Sequence, residues 1–421
     1  MALNQALASG VALLTLAALA LGEVPGLKLN RSTIALVGAG VLLALGVISL
    51  KDAERTIDLS TLMLLLSMMV INAVLELSGF FTWVGEQIIE RVSRPLPLLI
   101  LVVLTAGVLS MLFLNDPVCV MLTPLVTGVV LRLGRNPMPY LIALACAANV
   151  GSVATITGNP QNILIGASSG IGYLYWLARL GPIAALGLVI VVGVVVLVYR
   201  HEFFGTRSTP ATVHGRLPVS AGRALTLAEA EQLIYVPTLR KSLIVIAAML
   251  VAFVAGVNVT LAAFIAACVI LVSRRVESSR ILALVDWPLL LMFGGLFIVM
   301  GSLEVTGASE QLFALFRPIA LGGTAALTLV TTVLSNLVSN VPAVLLFRPL
   351  VDQFPDPTQT WLTLAAASTL AGNLTLVGSV ANLIVAEQAR KFEVNLTFAE
   401  YLKAGPLITA LTLLVAVVLL G

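Results

Sequence analysis

The chain has 421 residues, of which 59% are hydrophobic and 10% are charged, and its mean hydropathy is +1.09. A soluble domain carries roughly 25% charged residues, so the composition excludes a soluble globule and indicates a polytopic membrane protein. The sequence has no nucleotide-binding loop and no zinc-protease motif, and its three cysteines lack disulfide or metal-ligand spacing. We therefore expect no cofactor, no metal and no nucleic-acid partner, and any active transport has to draw on an ion gradient.

Apolar runs long enough to cross a bilayer, about 20 residues each, recur along the whole chain. They predict an all-α fold with about ten transmembrane helices, at residues 6–22, 32–50, 59–79, 139–168, 178–199, 239–257, 260–273, 286–306, 360–386 and 401–420. Two further segments, 96–134 and 317–352, are predicted to be re-entrant hairpins, because each turns at buried polar residues rather than at an exposed loop. The segment 82–95 is amphipathic and is predicted to lie in the membrane interface.

Three pairs of similar segments occur in the same order in the two halves of the chain. NDPVCVMLTPLV (115–126) matches NVPAVLLFRPLV (340–351), and ATITGNPQNILI (154–165) matches LTLVGSVANLIV (374–385). In the third pair, IDLS and LELSG match VDWP and LEVTG. An odd number of crossings separates equivalent points, so the halves are predicted to be inverted repeats, the arrangement found in many secondary transporters.

The repeat and the charges together predict the domain organisation. The first repeat covers 1–200 with hairpin 96–134 and broken helix 139–168, a cytoplasmic loop covers 201–237, and the second repeat covers 238–421 with hairpin 317–352 and broken helix 360–386. Most of the 23 Lys and Arg residues fall on the side of the 201–237 loop, which the positive-inside rule makes cytoplasmic. Both termini are then expected outside the plasma (inner) membrane. The exceptions are Lys51, Arg55, Arg179, Arg317 and Arg348.

The hairpin tips and broken helices supply the polar groups that we expect at the middle of the membrane. Free backbone groups at the ends of broken helices bind solutes in inverted-repeat transporters. The residues predicted to bind substrate are Asn115, Thr155, Gly158, Asn159, Asn162, Asn336, Asn340, Thr375, Gly378, Ser379 and Asn382. No lysine or arginine is expected in this cavity, and Arg348 is expected to extend to the outer interface. This favours a weakly charged or neutral solute, although helix dipoles can also hold a carboxylate.

Asp116 is the predicted coupling residue, because an ionisable side chain at membrane depth is by default functional. The second half has valine at the equivalent position, so one such site is expected. Two roles stay open: exchange of a proton, or completion of an oxygen cage for Na⁺. A structural alternative is that Asn115, Asp116 and Asn340 cap helix ends, with a proline in the first turn. Glu76 and Glu304 are expected to be interfacial residues at the ends of equivalent helices.

Four motifs give the chain a family resemblance. The patterns FxNDxxxxxLTPLV (113–126), TGNPQN (157–162), SNVP (339–342) and GNLTLxGSxAN (372–382) resemble the ion transporter superfamily, which includes arsenite efflux pumps, related sodium/proton antiporters, anion permeases and divalent anion/sodium symporters. The Asn-Asp pair followed by Leu-Thr-Pro is most similar to the arsenite-pump branch, whereas the Ser-Asn-Thr motifs of dicarboxylate symporters are not intact. The resemblance implies a scaffold domain that dimerises and a transport domain that moves as an elevator.

The leading hypothesis is a secondary transporter that exports arsenite or antimonite, with proton exchange through Asp116. The alternative is a Na⁺-coupled symporter of an inorganic or carboxylate anion, and a channel is a third possibility. A membrane enzyme is not expected, because no nucleophile–base pair or metal cluster stands at depth. The expected partners are a small inorganic solute or anion, the lipid bilayer and a second copy of the chain, and a cytoplasmic ATPase subunit stays open.

Overall fold

The computed structural model describes residues 2–21, 29–81, 83–84, 94–204, 236–272, 276–308, 314 and 322–421. These residues form helices and connecting turns, with no β-strand among them, so the predicted all-α fold is confirmed. The predicted interfacial segment 82–95 and the polar loop 201–237 lie largely outside the described residues.

The helices given in full for the described residues of the first half are α1 (Ala2–Leu21), α2 (Arg31–Ala44), α3 (Leu50–Thr56), α4 (Leu59–Leu77), α5 (Pro95–Leu112), α6 (Asn115–Arg132), α7 (Met138–Ser152), α8 (Pro160–Ser169), α9 (Tyr173–Val198) and α10 (Arg200–Phe204). The described helices of the second half are α11 (Val236–Val254), α12 (Val259–Leu271), α13 (Ser278–Ala283), α14 (Trp287–Val305), α15 (Gly323–Val338), α16 (Asn340–Phe347), α17 (Pro357–Ala371), α18 (Val380–Arg390), α19 (Phe398–Tyr401) and α20 (Gly405–Leu420). Two 3₁₀ turns follow α16 and α17, at Arg348–Gln353 and Leu376–Gly378.

Several of these helices suit a bilayer by length and composition. Of the described helices, α4, α5, α9, α11 and α14 are apolar and at least 18 residues long. The apolar helices α2, α7, α12, α15 and α20 are shorter, and so is the apolar stretch Leu3–Leu19 of α1. The predicted span 32–50 is too long: α2 stops at Ala44, the chain turns through Gly46 with φ of +65°, and Ser49 then caps α3.

The predicted hairpins and broken helices are all interrupted where a polar motif stands. The first hairpin consists of α5 and α6, joined by the extended residues Phe113 and Leu114. The described part of the second hairpin consists of α15 and α16, joined at Ser339. The predicted broken helices are the pairs α7 and α8, and α17 and α18.

Equivalent helices of the two halves make equivalent contacts. Helix α2 packs against α14, and its counterpart α12 packs against α4. Likewise α6 packs against α18, and α16 packs against α8. Asp58 and Asp286 cap the equivalent helices α4 and α14, accepting the N–H groups of Thr61 and Leu289 at 3.0 Å in both cases. This reciprocal packing is what an inverted repeat produces.

Helices α7 and α17 lie at the centre of the molecule. Every residue of α7 after Met138 is buried, and so is nearly all of α17. A helix that is apolar on all sides is expected to be buried in this way. Helices farther out, such as α9, α11 and α20, expose apolar side chains including Val189, Val251 and Val418, which suits contact with lipid. The interruptions of the central helices therefore lie deep inside the protein.

Candidate functional site

Local backbone chemistry explains why the central helices are interrupted. Pro160 has no N–H and cannot continue a helix from the preceding turn, so α8 begins there, with Asn159 as its cap. Asn159 Oδ1 accepts the N–H of Asn162 at 2.9 Å. A Cβ on Gly158 would lie 2.3 Å from the carbonyl oxygen of Ser152. Only glycine allows this close approach of two backbone segments.

Two equivalent asparagines close the two interruptions with the same contact. The Nδ2 atom of Asn162 donates to two carbonyl oxygens of the first loop at 2.9 and 3.0 Å. The Nδ2 atom of Asn382 donates to two carbonyl oxygens of the second loop at 2.7 and 3.1 Å. Carbonyl groups lose their helical partners where a helix ends, and the amides replace them. The four acceptors are the carbonyls of Ser152, Thr155, Gly372 and Thr375.

Asn149 on α7 connects the first hairpin to the second interruption. Its Nδ2 donates to Asn373 Oδ1 at 2.9 Å and to Asn382 Oδ1 at 3.1 Å. Its Oδ1 accepts from Asn115 Nδ2 and from Ser379 Oγ, both at 3.1 Å. An amide has two donors and two acceptor positions, so the hydrogen-bonding capacity of Asn149 is fully used.

A reciprocal contact joins the first interruption to α17. Asn159 Nδ2 donates to Thr369 Oγ1 at 3.2 Å, and Gln161 Nε2 donates to the same oxygen at 3.0 Å. Thr369 and Asn149 stand at equivalent positions of α17 and α7, as do Ser379 and Asn159 in the loops. Each loop is therefore bonded to the central helix of the opposite half.

The asparagines at the two hairpin tips do not cap the helices that follow them. Asn115 and Asn340 are the first helical residues of α6 and α16, and the caps are Leu114 and Ser339, which make no side-chain cap bond. The interpretation of the two asparagines as caps is therefore wrong. The Oδ1 atoms of both are buried and accept no hydrogen bond from the described residues. A buried amide oxygen without a donor is costly, so both oxygens are free to accept hydrogen bonds from a solute or water.

Ser339 adopts an unusual backbone conformation at the second tip. Its φ is +77° with ψ of 160°, a combination that residues with a Cβ rarely adopt. Among the described residues, only Glu393 shares a positive φ without being glycine. Strained backbone of this kind is frequent at functional sites, and the position of Ser339 was not among the predicted site residues.

A cavity of about 670 Å³ lies against both hairpin tips. On one side it is lined by polar residues of the tips and loops, namely Asn115, Asp116, Gln161, Ser339, Asn340 and Ser379. On the other side it is lined by the starts of α2 and α14, including Asn30, Arg31, Ser32 and Asp286. These helix starts lie on the side predicted to be cytoplasmic. The two tips reach one cavity, as the inverted repeat predicts.

The predicted site residues fall into two groups. Asn115, Asp116, Asn340 and Ser379 line this main cavity. The others are not among its lining residues and support the loops behind it: Thr155, Gly158, Asn159, Asn162, Asn336, Thr375, Gly378 and Asn382. The structure thus separates residues that can touch a solute from residues that hold the loops.

Two arginines line cavities of the molecule. Arg31 lines the main cavity, so the expectation of a cavity without lysine or arginine is wrong. It forms no ion pair with any described residue. Arg348 Nη2 binds Asp58 Oδ2 at the start of α4, at 3.1 Å. It also lines a separate cavity of about 680 Å³ at the opposite end of the molecule, together with Glu304 and Trp361.

The sequence is similar to known transporters over most of its length. A family model described as "Citrate transporter" matches residues 14–371. The silicon efflux transporter LSI3 of Oryza sativa subsp. japonica is 31% identical, over 95% of this chain and 94% of its own length. The putative transporter arsB of Dictyostelium discoideum is 25% identical, over 93% of this chain and 87% of its own length.

A solved structure shares the fold. MtrF of Neisseria gonorrhoeae, described as illuminating a class of antimetabolite efflux pumps, aligns with a TM-score of 0.63 at 13% sequence identity. The alignment covers 99% of this chain and 94% of that one. Because the helical fold agrees over the whole length while the sequences differ, the likeness concerns architecture alone.

Proposed function

The chain belongs to the citrate transporter family of the ion transporter superfamily and is a membrane transporter, and on that premise we propose that it exports arsenite or antimonite in exchange for protons. One observation carries the proposal: the Asp116 carboxyl and the unpartnered amide oxygens of Asn115 and Asn340 belong to residues that line one cavity. The named relatives include a silicon efflux transporter and a putative arsB transporter, which supports export of a small oxyacid.

The chemistry of the solute matches the groups in the main cavity. Arsenous and antimonous acids are undissociated at neutral pH and present hydroxyl donors in several directions. The Oδ1 atoms of Asn115 and Asn340 are buried acceptors without donors from the described residues, and such acceptors discriminate in favour of a solute that supplies hydroxyl groups. Silicic acid, another uncharged polyhydroxy acid, belongs to the same chemical class. The proposed substrate class is therefore a small neutral polyhydroxy acid.

Asp116 provides a way to couple the solute to protons. An ionised Asp116 accepts a hydrogen bond from a solute hydroxyl, whereas a protonated Asp116 is neutral without the solute. A bound solute leaves the charge on the Asp116 carboxylate but donates hydrogen bonds to it, whereas a bound proton removes the charge. A carboxylate with neither partner is costly to carry through the membrane, so the transport domain crosses when either the solute or a proton is bound. In this proposal the hairpins and broken helices move as an elevator against α2, α4, α12 and α14, and the chain works as a homodimer.

A second candidate function is Na⁺-coupled import of an inorganic or carboxylate anion. Arg31 lines the main cavity and forms no ion pair within the described part of the chain. A free guanidinium can bind a carboxylate through two parallel hydrogen bonds. The family description, citrate transporter, favours the same substrate class.

Flux into proteoliposomes under one imposed gradient at a time distinguishes these functions. The solutes are arsenite, antimonite, silicic acid and citrate, each tested with a pH gradient or a Na⁺ gradient. We expect a pH gradient to drive accumulation of the uncharged acids in the direction opposite to proton movement. Accumulation of citrate driven by Na⁺ and unaffected by a pH gradient would establish the second candidate. Flux that follows only the solute gradient would indicate a channel.

A further inference from the structure

Asp116 lies between two cavities. A smaller cavity of about 210 Å³ shares Asn115, Asp116, Pro160 and Asp286 with the main cavity. Residues of α4 line only the smaller one, among them Met69, Asn72, Ala73 and Glu76. The smaller cavity, called here the side cavity, therefore gives the Asp116 carboxyl a second face, away from the Ser339–Asn340 tip that lines the main cavity.

Asn72 in the middle of α4 lines the side cavity with an amide that no described residue pairs. Its side chain is buried, with 2% of the residue exposed. Both its Nδ2 and its Oδ1 have no hydrogen-bond partner among the described residues. Buried polar groups are normally satisfied by protein or by ordered water, and a water needs roughly 10–15 Å³ of such a cavity. The side cavity is large enough for several waters, and Asn72 supplies both a donor and an acceptor to them.

The second half of the chain shows that the fold does not require an asparagine here. Asp58 aligns with Asp286 and Glu76 aligns with Glu304 at one common offset between α4 and α14. With this offset, Met300 of α14 is equivalent to Asn72 of α4. Met300 is buried in α14, as Asn72 is in α4. Met300 lines the cavity at the opposite end of the molecule, so the equivalent position lines a cavity in both halves and the fold accepts an apolar side chain there.

Glu76 lies one turn beyond Asn72 and lines the same cavity. It is half-buried and forms no ion pair in the part of the chain that is described. The charged groups that share the side cavity with it are Asp116 on α6 and Asp286 at the start of α14. The other charged residues on helices packed against α4 are Arg280 on α13, Arg240 and Lys241 on α11, and Glu304 on α14.

We propose that Asn72 and Glu76 form a hydrated proton path between Asp116 and the predicted cytoplasmic side. The proton leaves the Asp116 carboxyl, passes through water bonded to Asn72, and protonates the Glu76 carboxylate, which then releases it to the solvent. Asp116 is left ionised and able to accept a solute hydroxyl. The path is separate from the main cavity, so a solute and a leaving proton do not compete for the same exit. This inference rests on the proton exchange of the proposed function.

Glu76→Gln and Asn72→Met test the path, and Glu304→Gln is the matched control. Glu304 ends the equivalent helix but lines the cavity at the opposite end. Two assays are compared in proteoliposomes: solute counterflow, which needs no net proton movement, and solute flux driven by a pH gradient with proton movement followed by a trapped dye. We expect Glu76→Gln and Asn72→Met to keep counterflow and the solute KM, and to lose at least about tenfold of the proton-driven rate. Glu76→Asp should recover part of it.

The outcomes separate this inference from the proposed function. If the unmodified protein moves no protons in exchange for the solute, the proposed function is wrong and so is the proton path. If the unmodified protein is proton-coupled but Glu76→Gln retains its proton-driven rate, only the path is overturned. Loss of counterflow in Glu76→Gln, in a protein that still elutes as a folded species, would make Glu76 a solute-binding or structural residue and would also overturn the path.

Discussion

Arg348, which follows α16 in the second hairpin, binds Asp58 at the start of α4, with 3.1 Å between Nη2 and Oδ2. The guanidinium also lies over the ring of Phe297, 5.5 Å from its centroid. The equivalent aspartate at the other end of the molecule, Asp286, lines the main cavity and has no ion pair with a described residue. The ion pair therefore joins a hairpin to α4 at the end opposite the main cavity. We expect it to favour the conformation seen here.

Asp58→Asn should shift the conformational equilibrium. Asparagine caps a helix as well as aspartate does, so α4 keeps its cap and loses the ion pair together with the long hydrogen bond, 3.5 Å, that Ser168 Oγ donates to Asp58 Oδ2. The paired side chains of Arg348 and Asp58 are 32% and 11% exposed, and loss of a pair that is still screened by solvent costs about 1 kcal/mol. That corresponds to an increase of about fivefold in the population of the conformation that is open at the end where Arg348 and Asp58 lie.

Thiol labelling measures this shift. A single reactive cysteine is placed at Ser339, which lines the main cavity, after replacing the exposed Cys268. Asp58→Asn should accelerate labelling from the side of Arg348 and slow it from the predicted cytoplasmic side. Asp356→Asn is the control, because Asp356 caps α17 but has no described ion pair. Identical labelling rates in the two variants would contradict the prediction.

Asp116→Asn should uncouple transport from protons while the protein still inserts and folds. The asparagine keeps the shape of the side chain and removes the carboxyl group that exchanges a proton in the proposed function. We expect proton-driven flux to fall by at least about tenfold, because an ionisable residue at this depth acts through its charge. The measurement is flux of arsenite against pH: the rate of the unmodified protein should depend on pH, and that of the variant should not. A variant that keeps the pH dependence would exclude Asp116 as the coupling group.

Asn149→Asp tests the buried connection between the first hairpin and the second interruption. Aspartate has a similar shape but replaces the two Nδ2 hydrogens with an acceptor, which leaves the Oδ1 atoms of Asn373 and Asn382 without their donor. Each buried acceptor that loses its partner costs about 1–3 kcal/mol, so the melting temperature in detergent should fall clearly. Asn258→Asp is the matched control, because Asn258 is an exposed helix cap. Equal melting temperatures would show that the Asn149 contacts add no stability.

The elements that local chemistry determines could be predicted from the sequence, and those that depend on packing could not. Pro160 and Gly158 mark the interruption of the central helix because a missing N–H and a missing Cβ act within a few residues. Asn149 stands among small apolar residues in ALACAANVGS, where nothing local indicates four buried partners. Arg31 precedes an apolar run and is typical of an interfacial residue, and only the packing of α2 against α14 brings it to the cavity.

Gly158→Ala should disable transport through a backbone clash. The added Cβ would lie 2.3 Å from the carbonyl oxygen of Ser152 and 2.9 Å from that of Ser110, so the loop behind the first hairpin tip has to move. We expect a loss of about 1–3 kcal/mol in stability together with loss of solute binding. Gly193→Ala in α9 meets no atom within 4 Å, and it should be neutral or slightly stabilising because alanine favours the helix. Solute-induced thermal stabilisation of both variants distinguishes the two outcomes, and stabilisation of Gly158→Ala to the extent of the unmodified protein would contradict the prediction.

Arg31→Gln distinguishes a neutral substrate from an anionic one. Arg31 lines the main cavity opposite the hairpin tips, so an anion bound there gains a charge-assisted hydrogen bond worth about 1.5–3 kcal/mol, whereas an uncharged acid gains little. In the variant we expect the KM for arsenite to change less than about twofold, and the concentration of citrate that inhibits arsenite flux to rise by at least about tenfold. Arg31→Lys should keep part of the inhibition by citrate, because lysine retains the positive charge but lacks the planar guanidinium group.

Arg280→Gln controls for surface charge, because Arg280 is exposed on α13 and does not line the cavity. It removes one positive charge from the predicted cytoplasmic side and should leave both constants unchanged. If Arg31→Gln weakens arsenite as strongly as citrate while Arg280→Gln does not, the solute is recognised through a negative charge. The amide oxygens of Asn115 and Asn340 would then bind water or a cation. Anion symport would become the better-supported candidate function.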